Sequence, residues 1–117
     1  MQIQLNTDKH LVGSDDLALQ LEGSLRTALG HLADRITRYE VHLSDLNGDK
    51  TGGDDKRCLI EARVAGRQPI SITHEAPTVT LAIDGAADKL ARALERAFGR
   101  LDAERRGGAR QASDEAS

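Results

Sequence analysis

The chain has 117 residues, of which 38% are hydrophobic and 30% charged, and its net charge is −3. That length fits one domain, and no run approaches the roughly 18–20 apolar residues that a membrane helix requires. Aromatic residues reach only 2% (Tyr39 and Phe98), which disfavours a single-strand binder that stacks bases on exposed rings.

A core must therefore come from Leu, Ile, Val and Ala, and a chain of this size buries very roughly 65% of its unfolded surface. The opening residues, MQIQLNTDKH, carry neither the basic start nor the apolar run of a signal peptide. Cys58 is the single cysteine, so no intrachain disulfide can form and a reducing, cytoplasmic setting is expected.

Ile3 and Leu5 alternate with polar neighbours over residues 2–6, predicting a first strand. A polar turn over 7–14 ends at Ser14, a candidate N-cap, with Asp15 and Asp16 placed to complement a helix dipole. Leu17, Leu21, Leu25, Ala28, Leu29 and Leu32 then recur at steps of mostly three and four, predicting a helix over about 15–32. Gly23 and Gly30 each cost about 1 kcal/mol against alanine, which leaves its far end open.

From Ile36 to Ser44, Tyr39, Val41 and Leu43 alternate with Arg38, Glu40 and His42, the pattern of a half-buried strand. Residues 57–64 alternate again, and Ala65-Gly66-Arg67-Gln68 turns into Pro69 and a strand over 70–74. Three strands with these links predict an antiparallel meander. Pro77 and Thr78 open the longest element, a helix of about 27 residues ending near Arg105. The segment 106–117 has no apolar periodicity and is expected to be a disordered tail. The predicted order is β-α-β-β-β-α, an α+β fold with a four-stranded sheet and both helices on one face.

Charge is unevenly placed. Residues 45–55 contain four aspartates and one lysine, which accounts for the whole net charge of −3. On the long helix, an advance of about 100° per residue separates Lys89, Arg92, Arg96 and Arg100 from a stripe of Asp84, Asp88, Glu95 and Asp102. The four cations form a row about 16 Å long, each about one turn from the next. Such a row can follow phosphates, and arginine can hold them with two hydrogen bonds. The same spacing also fits a solvated face with supporting pairs such as Asp88–Arg92. Arg26, Arg35 and Arg38, at the first helix and its exit, are candidates to widen the patch.

Other chemistries find less support. Asp45, Asn47 and Asp49 match the first ligand positions of an EF-hand loop, but Lys50 replaces the turn glycine and Lys56 the final glutamate. His42, Cys58 and His74 on neighbouring strands could approach one another as zinc donors, although Cys58 falls on an apolar alternation. No nucleophile elbow, phosphate loop, dinucleotide turn or His-Glu-x-x-His helix occurs, so an enzyme is not expected. Gly85 belongs to no phosphate loop and is expected to allow close packing against the sheet. A protein-interaction module is the remaining class. The mixed charges of Arg38, Glu40, His42, Arg57, Glu61 and Arg63 favour a solvated outer sheet face over a large apolar interface.

Asp34-Arg35-Ile36, Ala82-Ile83-Asp84-Gly85 and Asp88-Lys89-Leu90-Ala91-Arg92 resemble the ribosome hibernation-promoting factor and ribosome-associated inhibitor family, also called sigma-54 modulation proteins. The resemblance spans residues 1–105 and implies a dsRBD-like ribosome-binding domain of the short type, without the further domain that pairs ribosomes. It implies a stress factor that binds 16S rRNA in the mRNA and tRNA channel of the small ribosomal subunit and blocks translation. It also implies no enzymatic activity, cofactor or small-molecule substrate, and a monomer off the ribosome. Lys89, Arg92, Arg96 and Arg100 stand where the family pattern has lysine or arginine. Leu25, Ala28, Phe98 and Asp102 stand where short members often carry lysine, a loss expected to weaken phosphate attraction.

Overall fold

A computed structural model describes residues 2–8, 15–46 and 55–105, with side chains described at 2–8, 16–46 and 55–99. The elements are β1 (Ile3–Thr7), α1 (Asp15–Leu29), a short 3₁₀ helix (Gly30–Arg35), β2 (Ile36–Asp45), β3 (Lys56–Val64), β4 (Ile70–Ala76) and α2 (Val79–Arg105). The sheet order is β1-β2-β3-β4. β2, β3 and β4 form the expected antiparallel meander, while β1 runs parallel to β2, the two being joined through α1.

Register explains why one face is apolar. Ile3 lies beside Tyr39 and Leu5 beside Val41, and Tyr39, Val41 and Leu43 face Ala62, Ile60 and Cys58. Ala62 and Ile60 in turn face Ile70 and Ile72, so the period-two positions of all four strands meet in rows. These side chains share one buried cluster with Leu21, Leu25 and Leu29 of α1 and Ile83, Leu90 and Leu94 of α2. Both helices therefore cover the same sheet face. The Tyr39 ring is fully enclosed and its hydroxyl has no hydrogen-bond partner among the described residues.

The helix limits have local causes. α1 stops at Leu29 because Gly30 adopts φ +57°, a left-handed conformation that favours glycine and ends α-helices. Leu32 thus belongs to the 3₁₀ helix, and α1 ends three residues short of its predicted limit. At α2, the Thr78 hydroxyl accepts a hydrogen bond from the Leu81 amide (3.1 Å), a side-chain N-cap. The α2 stripe is broader than the four-three spacing suggests, because Ala82, Ala87, Ala91 and Phe98 are buried as well. Small alanines on its flanks let α2 lie close to both α1 and the sheet.

The two segments flanking the acidic loop are tied together. Lys56 Nζ contacts the Asp55 carboxylate at 2.9 Å and that of Asp45 at 3.7 Å. The Leu46 amide donates to the Asp55 carbonyl (2.7 Å), and the Asp45 amide to the Asp8 carboxylate (2.9 Å). The hydrogen bond to Asp55 raises the Lys56 ammonium above its ordinary value. Asp45, the first position of the EF-hand pattern, is thus engaged by the lysine that replaces the final calcium ligand. The loop residues 47–54 themselves lie outside the described residues, as does the predicted tail over 106–117.

Candidate nucleic-acid interface

α2 lies along β4, the edge strand of the sheet, with the basic row on the flank that meets this edge. Two contacts set its direction. Gly85 sits against the His74 ring, and Lys89 Nζ donates to the Thr73 carbonyl at 3.0 Å. α2 therefore runs opposite to β4, carrying Arg92 and Arg96 on toward the Ile70 end. The expected tight packing at Gly85 is present: a Cβ there would stand 2.2 Å from His74 Cδ2.

Lys89, Arg92 and Arg96 are exposed. Arg100 continues the row on the α2 backbone, and its side chain lies outside the described ones. Arg92 and Arg96 make no ion pair with another described residue, and the possible Asp88–Arg92 pair does not form. Acidic residues of α2 look elsewhere. Asp84 accepts from the Ser24 hydroxyl at 2.6 Å, and with Asp88 it lines a groove against Gln20, Ser24 and Thr27 of α1. Lys89 reaches the β4 side, while these two carboxylates line the α1 side. Since unpaired guanidiniums lose little on exchanging water for phosphate oxygens, this flank is suited to a polyanion.

The outlying arginines divide. Arg26 is held by Glu22 one turn earlier at 2.6 Å. Its guanidinium also draws the Glu22 carboxyl below the usual carboxylate range. Arg35 places its guanidinium 3.8 Å from the centre of the Phe98 ring and so reaches the C-terminal half of α2. Arg38 is not brought to the row. It projects from β2 on the outer sheet face, paired with Glu40 at 3.2 Å and bonded to Gln4. That face is otherwise covered by Arg63 with Glu40 and Glu61, and by Arg57 with Glu75. Such exposed pairs add little stability but keep the face hydrated, in line with its mixed sequence.

Leu25 and Phe98, two of the positions where the resemblance places frequent lysines, are core positions in this chain: Leu25 is 0% and Phe98 3% exposed. The three side chains weighed as zinc donors, a site the sequence does not favour, do not come together. Cys58 and His74 pair across β3 and β4, whereas His42 faces Leu59 in the register and lies on the exposed side of β2. No cluster of three metal-ligating side chains occurs among the described residues. Sequence reasoning missed the Arg35–Phe98 contact, for which the only signal was that Phe98 falls outside the predicted apolar stripe.

Thus the molecule is an α+β domain whose long helix carries Arg92 and Arg96 exposed and without an ion pair among the described residues. The family described as Sigma 54 modulation protein / S30EA ribosomal protein matches residues 6–102, and the chain belongs to it. Among solved structures, a ribosomal subunit interface protein from Coxiella burnetii superposes with a TM-score of 0.69 at 17% identity, covering 85% of this chain and 99% of that one. The Protein Y N-terminal domain of Thermus thermophilus gives 0.65 at 24% identity, covering 82% and 98%. At these identities the likeness shows the fold. A search of the curated proteins returns no match. No helix among the described residues is long and apolar enough to cross a membrane.

Proposed function

We propose that this protein is a cytoplasmic ribosome-associated inhibitor that binds the small ribosomal subunit during stress or slow growth. In this reading α2 lies against 16S rRNA in the channel of mRNA and the A- and P-site tRNAs. Lys89, Arg92, Arg96 and Arg100 contact backbone phosphates, and occupation of the channel blocks translation without any chemical step. The observation that carries the reading is that exposed Arg92 and Arg96 form no ion pair with any described residue, while Asp84 and Asp88 of the same helix line the α1 side, in a chain of this family. Low aromatic content supports structured RNA held through its backbone over a single strand held by stacking. The ion-paired outer sheet face gives no support to the alternative of an apolar protein-interaction module.

Co-sedimentation with 30S, 50S and 70S particles at low and moderate salt tests the reading. Binding to 30S and 70S but not to 50S, weakened steeply by salt, is expected. Absence of 30S binding at low salt would remove it.

A further inference from the structure

α1 and α2 lie side by side and run in the same direction. Gln20 Nε2 donates to the Thr80 hydroxyl at 2.8 Å, and one turn further along both helices the Ser24 hydroxyl donates to Asp84 at 2.6 Å. On the solvent side of these two bonds the helices leave an open groove of about 490 Å³. Leu19, Gly23, Thr27 and Ala28 line it from α1, and Asp84 and Asp88 from α2.

Charge in this groove is of one sign. Both aspartates are exposed, and neither forms an ion pair with a described residue. The Ser24 hydroxyl is a neutral partner, so it leaves the Asp84 charge uncompensated. Arg26, the cation of α1, is held by Glu22. Shape adds to charge. A Cβ at Gly23 would meet nothing within 4 Å, so the groove floor is open there, although a glycine inside a helix costs stability. Gly85 is required by its contact with His74, whereas what Gly23 provides is room in the groove.

We propose that the groove docks an extended segment of a partner protein with arginine or lysine at alternate positions. Spacing carries the choice. Asp84 and Asp88 stand about 6 Å apart along α2. Side chains on one face of an extended chain recur at about 6.7 Å, so two cations separated by one residue meet both carboxylates. From Leu19 to Ala28 the groove runs about 14 Å, the span of about four extended residues. Leu19, 66% exposed, offers apolar surface to the methylene stem of an arginine. This docking goes beyond the ribosome reading and uses no residue of the basic row, so the two stand or fall separately.

The test is a heteronuclear NMR titration of the whole protein with a capped seven-residue peptide, glycine except for arginines at its third and fifth positions. Saturable shifts are expected at the Gly23, Ser24, Thr27, Asp84 and Asp88 amides. Asp84→Asn with Asp88→Asn should abolish them, while an amide oxygen still accepts from Ser24 and the fold is kept. Gly23→Leu, which leaves every charge in place but fills the floor, should abolish them as well. A peptide isomer with adjacent arginines gives up one of two exposed ion pairs and should bind about threefold more weakly. No saturable shift at the groove, shifts centred on Asp45, Leu46 and Asp55 beside the acidic loop, or equal affinity of the two isomers would overturn the proposal. Undiminished binding by Gly23→Leu would do the same, since charge alone would then be the cause. Spermidine binding the groove as tightly as the first peptide would overturn a polypeptide as the occupant.

Discussion

The His74 ring occupies the space that a side chain at Gly85 would need, its Cδ2 and Nε2 both 2.2 Å from the position of a Cβ there. This close approach seats α2 on the edge strand and brings Lys89 to the Thr73 carbonyl, which turns the basic flank toward β4. Gly85→Ala should therefore destabilise the fold by about 1–3 kcal/mol, the usual cost of overpacking. Helix propensity alone would gain about 1 kcal/mol from the same change. In a His74→Ala background the alanine should recover that gain. Urea denaturation of both single variants and the double variant measures the coupling, and strictly additive effects would contradict the contact.

Lysines at the two core positions should not restore RNA affinity. Leu25 is completely buried and Phe98 nearly so, with Arg35 already over the Phe98 ring. Leu25→Lys and Phe98→Lys each place an ammonium in an apolar site and discard a packed side chain. Each should cost about 3 kcal/mol or more. Thermal melts decide the matter: variants that kept the wild-type Tm and bound 30S more tightly would return these positions to the surface.

Much of this architecture is legible in the sequence, for a physical reason that differs by element. Tyr39, Val41 and Leu43, and then Cys58, Ile60 and Ala62, alternate because a sheet with one covered face imposes period two. α2 spans Val79–Arg105 as its apolar spacing predicts, and charge segregation around it follows from the same periodicity. What escapes periodicity depends on partners distant in the chain. The pairing of β1 with β2, the placement of Phe98 inside the core and the contact of Arg35 with the Phe98 ring are set by how elements dock. Gly30 is ambiguous for a different reason: a glycine within an apolar stripe can either continue a helix at some cost or end it, and only its φ decides.

Alkaline pH should weaken the fold in two stages. Burial pushes the Cys58 thiol from 9.0 up to about 12 and the Tyr39 phenol from 10.0 up to about 12. Between these limits the folded chain keeps protons that the unfolded chain releases, so stability falls as pH rises. The contribution is whole below about pH 9, erodes first through Cys58, and then also through Tyr39 above about pH 10. Each group can contribute a slope of up to about 1.4 kcal/mol per pH unit. Urea midpoints at a series of pH values should show this decline, and Cys58→Ala should delay its onset. The native thiol should also resist alkylating reagents near pH 8, since the thiolate is the reactive form. Rapid labelling without unfolding would argue against its burial.

Removal of the row's charge should separate binding from folding. Arg92 and Arg96 are exposed and unpaired with any described residue, so Arg92→Gln with Arg96→Gln removes no ion pair found there. Glutamine has similar helix propensity, and the double variant should keep its stability to within about 0.5 kcal/mol. Affinity for 30S should fall, with a salt slope smaller by about 0.7–0.9 for each phosphate that is no longer neutralised. Lys89→Gln differs because it also frees the Thr73 carbonyl on the edge strand, adding a stability loss of about 1 kcal/mol. Substituting Lys89, Arg92, Arg96 and Arg100 together should abolish co-sedimentation while circular dichroism still reports the folded domain. A folded quadruple variant that bound ribosomes with wild-type affinity and salt slope would remove the α2 flank as the contact surface.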